Sequence, residues 1–114
     1  MNGLPDNFDA SPFISQTLEI VSFGQYQVAL RFTNSIVINV EGHFSVNDSQ
    51  SIGLRDSLVS LYDLINLSVV TASSLPSGTL RLTFENQTTL DILDSNDRYE
   101  SYSIALADKE LIVV

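Results

Sequence analysis

The sequence predicts an α+β domain, an antiparallel and curled β-sheet of about six to eight strands with one helix packed on it. Three observations predict it. Short segments in which apolar and polar residues alternate recur along the chain, separated by turns rich in Gly, Asn and Ser. One segment, residues 54–67, departs from that period and places Leu54, Leu58, Leu61 and Ile65 at helical spacing. The length of 114 residues and the hydrophobic content of 44% supply one core and exclude a disordered chain.

The elements follow in order. Residues 1–16 read as a loosely ordered arm, with Pro5 and Pro12 breaking any period and Phe8, Phe13 and Ile14 available to pin it. Residues 17–114 form the single domain. It opens with a strand at 17–23, where Leu18 and Ile20 share one face and Val21 takes the other. Gly24-Gln25 turns the chain into a second strand at 26–33, in which Tyr26, Val28, Leu30 and Phe32 align. Asn34-Ser35 is the next turn, and Ile36, Ile38 and Val40 line a third strand, completing a meander. Phe44 and Val46 extend the sheet.

The helix at 54–67 has Asp56 in its first turn, where the helix dipole favours a carboxylate, and Asn66 at its end. Val69, Val70 and Thr71 form a short β segment. Leu80, Leu82 and Phe84 alternate with Arg81, Thr83 and Glu85 in the next strand. Asn86-Gln87 turns it toward Leu90 and Ile92. Tyr102, Ile104 and Leu106 form an apolar row, and residues 111–114 close the chain. The stretch from Leu30 through Val40 resembles the stretch from Leu82 through Ile92, each a hairpin with Phe just before the turn, which suggests two β-rich halves.

Composition excludes several function classes. The absence of cysteine rules out disulfides, thiolate metal sites and a Cys nucleophile. A formal charge of −9, from 14 acids against 5 bases, repels a phosphate backbone and an anionic membrane, and either attracts a basic protein or serves only to keep the chain soluble. The N-terminal residues lack the basic start and apolar run of a secretory signal, so a cytoplasmic location is expected and the three glycosylation sequons, at Asn47, Asn66 and Asn86, are read as chance.

Catalytic chemistry is not evident. His43 is the one histidine and lacks partners at metal-ligand spacing. No phosphate-binding glycine loop, nucleophile elbow or zinc-protease signature occurs. Asp91, Asp94, Asp97 and Glu100 lack the glycine-centred pattern of a calcium loop and read as a solvated acidic turn. No metal, cofactor or enzymatic activity is therefore expected. The candidate partner-binding residues are Asp94, Asp97, Arg98, Tyr99, Glu100 and Tyr102, an acidic loop leading into a tyrosine-rich strand, because tyrosine suits interfaces. Glu100 falls on the same face as Tyr102 and Ile104, where a buried carboxylate would need Arg31, Arg81 or a tyrosine hydroxyl.

From Leu58 to Ile104 the chain resembles an uncharacterised bacterial family of small single-domain proteins. The residues that carry the resemblance are Leu64-Ile65-Asn66-Leu67 at the helix end, the Leu80-Arg81-Leu82-Thr83-Phe84 strand, the Asn86-Gln87 turn and Tyr99-Glu100-Ser101-Tyr102. The family pattern has Gly where Asn66 stands, Asp-Gly at Asn86-Gln87 and Trp at Tyr102. The resemblance implies no activity, but some small acidic proteins of this appearance are suspected immunity proteins of bacterial toxin systems. The expected function is non-catalytic protein binding, in its sharpest form an immunity-like inhibitor of a basic toxin. Two alternatives stay open. One is a self-associating or accessory subunit that dimerises through the C-terminal strand. The other is a small enzyme using Glu100 and tyrosines.

Overall fold

The computed structural model describes residues 4, 7–25, 27–47, 60–94, 101–106 and 111–114. Nine strands are present among them: β1 (Leu18–Phe23), β2 (Val28–Phe32), β3 (Val37–Val40), β4 (Phe44–Val46), β5 (Val69–Ser74), β6 (Leu80–Phe84), β7 (Thr89–Ile92), β8 (Tyr102–Ala105) and β9 (Leu111–Val113). They form two antiparallel sheets. One has five strands in the order β1-β2-β3-β8-β9 and the other four in the order β4-β7-β6-β5.

This arrangement corrects the expected fold class, which was one curled sheet with a helix packed on it. The apolar faces of both sheets meet in a single core, with Leu30, Phe32, Ile38, Tyr102 and Ile104 from one and Leu80, Leu82, Phe84, Leu90 and Ile92 from the other. A strand of period two records only that one of its faces is covered. It does not record whether a helix or a second sheet covers it. Helical backbone among the described residues is limited to a 3-10 turn at Ser11–Phe13 and a turn at residues 60–62, since the tight turn at Thr33–Ser35 is left-handed at Asn34 and Ser35. The remainder of the expected helix, residues 54–59, lies outside the described residues. Its last apolar positions do serve the core, since Leu61 and Leu64 are buried and Ile65 packs against them. No helix among the described residues is long and apolar enough to cross a membrane.

The β1 phase shows why alternation alone mislabels a face. The register moves from Leu18 opposite Phe32 to Ile20 opposite Arg31, which leaves Glu19 as a bulge. One extra residue reverses the parity. Leu18 is fully buried, but beyond the bulge Val21 packs on the core and Ile20 points outward, half exposed. Some of the described residues before β1 reach the core. Leu4, Ala10 and Phe13 are buried, and Phe13 meets Phe32 edge to face at 5.8 Å between ring centroids.

The two hairpins that look alike in the sequence belong to two structurally equivalent repeats. In each, a 3-10 turn closes with a residue of positive φ, Ser15 at 72° and Asn66 at 74°. Each then enters a strand bulged after its first residue, at Leu18/Ile20 and Val69/Thr71. Those first residues face Phe32 and Phe84 respectively. Each Phe then donates its N–H across a three-residue hairpin loop, Phe32 to Ile36 and Phe84 to Thr88, both at 2.8 Å. Thus β1, β2 and β3 correspond to β5, β6 and β7.

Candidate protein-binding face

The outward side of the five-stranded sheet is continuous and weakly charged. The strand registers align two rows across it. One row runs Ile20, Arg31, Val37, Ala105 and Leu111, and the other runs Ser22, Ala29, Asn39, Ser103 and Val113. Ile20, Leu111 and Val113 are 49%, 64% and 43% exposed, too much for core residues. Arg31 is the one charged side chain in the two rows, in a protein of charge −9. Exposed Glu19 and Glu41 stand beside them, at the β1 bulge and after β3.

The other sheet supplies an internal comparison. At positions equivalent by repeat, its outward side carries Thr71 for Ile20, Thr83 for Arg31, Thr89 for Val37, Arg81 for Ala29 and Asp91 for Asn39. Arg81 binds Asp91 in two parallel bonds, Nε to Oδ1 and Nη2 to Oδ2, both 2.7 Å. The pair sits on facing residues of β6 and β7, and Asp91 is buried there. The same backbone therefore accepts hydroxyls and an ion pair at these places, and apolar residues on the five-stranded sheet are not a demand of the fold.

The sequence-predicted residues divide. Tyr102 lies in the interior, fully buried, and its hydroxyl donates to the Gly78 carbonyl at 2.8 Å, tying β8 to the turn between β5 and β6. Burial, reinforced by the Asp94 carboxylate nearby, raises its pKa well above the ordinary phenol range. Asp94 accepts a bond from the Ser101 hydroxyl at 3.1 Å and packs against Gly78, where an added Cβ would lie 2.9 Å from its Oδ2. Asp94 and Tyr102 are thus brought together, but as an internal lock around Gly78. Asp97, Arg98, Tyr99 and Glu100 lie outside the described residues. Asp91 of the acidic series is the partner of Arg81, and His43 is exposed with its carbonyl accepting the Leu93 N–H at 3.0 Å. Among the described residues no three His, Cys, Asp or Glu side chains are gathered for a metal ion.

Strand registers and a single bulge define the outer face, and sequence reasoning missed it for that reason. With Ile20 assigned to the Leu18 face, the β1 contribution disappears from view.

The model of a family of unknown function, DUF6188, matches residues 10–114. The chain belongs to DUF6188. No curated protein and no solved structure matches the chain. The DUF6188 match begins at Ala10, whose carbonyl accepts the first bond of the 3-10 turn that opens the first repeat, and runs through β9. An uncharacterised small-domain family is what the sequence resemblance implied, and DUF6188 is one.

Proposed function

We propose that this DUF6188 protein is a non-catalytic protein-binding domain, and that the outer face of its five-stranded sheet is the contact surface. The observation that carries the reading is the contrast between equivalent positions. Ile20, Val37 and Ala29 stand where the second sheet uses Thr71, Thr89 and Arg81. An apolar centre depleted of charge and bordered by Glu19 and Glu41 follows the anatomy of protein interfaces. The fitting partner has an apolar patch with a basic border and an acceptor for Arg31. The net charge of −9 steers such a partner in. In its finer form the reading is an immunity-like inhibitor that blocks a basic toxin sterically from the bacterial cytoplasm.

The test compares the protein with an Ile20→Asp/Leu111→Asp variant as baits for proteins of its own host, at low and moderate salt. Both residues are exposed, so the variant keeps its melting temperature within a few degrees. A basic protein held by the parent and lost by the folded variant is the expected result. Equal retention by both baits removes this face from the binding function.

A second reading, self-association, is favoured by β9. It is the edge of the five-stranded sheet, and Leu111 and Val113 project from it. Sedimentation over a hundredfold concentration range distinguishes the readings, since a monomer throughout refutes pairing through β9.

A further inference from the structure

The equivalence of the two repeats extends beyond their hairpins. Thr17 and Ser68, the corresponding residues ahead of β1 and β5, pair with each other in an antiparallel bridge, and their hydroxyls meet at 3.0 Å. The bonds around them come in matched couples. Ser15 N–H donates to Val69 O and Asn66 N–H to Leu18 O, both at 2.7 Å. Thr33 N–H donates to Thr17 O at 3.0 Å and Glu85 N–H to Ser68 O at 2.9 Å. Even the side-chain bonds repeat, Thr17 N–H to Thr33 Oγ1 at 3.1 Å and Ser68 N–H to Glu85 Oε2 at 3.2 Å. Reciprocal contacts of this kind, in which residue i meets j and j's equivalent meets i's, are the mark of a two-fold axis. The axis passes between Thr17 and Ser68.

The fourth strands cross that axis. β4 follows β3 in the chain but pairs with β7, with Phe44 opposite Ile92. β8 follows β7 but pairs with β3, with Tyr102 opposite Val40. The entry bonds match as well, Leu93 N–H to His43 O at 3.0 Å and Glu41 N–H to Ser101 O at 2.9 Å. Each repeat therefore lends its fourth strand to its partner's sheet, β4 as the edge beside β7 and β8 between β3 and β9.

We infer that the chain is a fused pair of one four-stranded unit, residues 10–46 and 61–105, and that each unit is built to recognise a second copy of itself by exchanging its fourth strand. Similar amphipathic hairpins arise independently. Paired bulges, paired left-handed residues and paired side-chain bonds to the same backbone groups do not follow from amphipathicity. The inference is independent of the binding face proposed above.

Two full-length experiments test it. In the first, residues 61–93 are replaced by residues 10–41, and in a reciprocal chain 10–41 by 61–93. Interchangeable units leave both chains monomeric, with the β-sheet circular dichroism of the parent and one cooperative thermal transition, if at lower temperature. Loss of cooperative unfolding in both grafts overturns interchangeability. In the second, a protease site is placed between the repeats, within residues 48–59, and the folded protein is cut. Exchanged strands keep the fragments as a 1:1 complex in native buffer, separable in denaturant and reforming only when both are returned together. Fragments that part on cutting overturn the strand exchange, whatever the grafts do.

Discussion

Replacing Tyr102 with Phe tests the interior lock most directly. The ring is fully buried and its hydroxyl donates to the Gly78 carbonyl at 2.8 Å. Phe keeps the ring and removes the donor, so the buried carbonyl loses this partner. The loss is about 1–2 kcal/mol, the value of a hydrogen bond whose partner stays buried. For a chain of this length that corresponds to a fall in melting temperature of roughly 4–8 °C. The raised pKa adds a second signature. Folded Tyr102 stays protonated at pH values where the unfolded chain ionises, so its contribution is complete below the unfolded phenol pKa of about 10 and declines as pH rises above it. Each pH unit beyond that point removes about 1.4 kcal/mol. One unit of alkalinity therefore erases most of the difference between parent and variant. Urea unfolding of both proteins from pH 7 to pH 11 provides the assay, and the other tyrosines cancel in the difference. A variant as stable as the parent at pH 7 refutes the hydrogen bond as a source of stability. A gap that stays constant through pH 11 refutes the burial of the phenol.

Three further outcomes are expected. Gly78→Ala destabilises by about 2–3 kcal/mol in denaturant titration, because φ there is 84° and the new Cβ would meet Asp94. Gln87→Gly raises the unfolding free energy by up to about 1 kcal/mol in the same titration, since Gln87 closes its hairpin at φ 73° without the freedom of glycine. Arg81→Met costs about 1–3 kcal/mol at neutral pH by leaving the Asp91 carboxylate without its bidentate partner. The figure is lower than for a buried pair because Arg81 is 38% exposed. Adding Asp91→Asn to that variant recovers part of the loss, which a double-mutant cycle measures.

Much of the strand content was legible from residue order. Leu80 to Phe84 alternates cleanly and forms β6 at those bounds, and Asn34 and Gln87 take the left-handed conformation at the turns where they were read. The likeness of the two hairpins was visible as Phe32 and Phe84 before polar turns. What alternation could not carry was assignment between sheets. Phe44 and Val46 continue the pattern of β3, but the link through Glu41, Gly42 and His43 delivers them to the other sheet. Nor does composition announce a bulge, and Glu19 reverses the face of Ile20. The expected recognition patch drew on tyrosine chemistry. Yet Tyr102 occupies an inward position opposite Val40, and Arg81, one candidate partner for Glu100, binds Asp91, while Glu100 lies outside the described residues. Side-chain type states what a residue can bond, and only long-range register states what it meets.

The exchange of fourth strands also governs the order in which the protein can be made. β3 is synthesised early, but the strand that covers its edge, β8, lies some sixty residues later, so a chain emerging from the ribosome carries an open β3 edge until nearly all of it is out. Pairings so distant in sequence demand loop closure before they contribute, which places the domain among slow folders. During that interval the same edge fits the β8 of a neighbouring chain as well as its own. Dilute refolding should therefore yield monomer, and concentrated refolding should trap dimers that exchange β8.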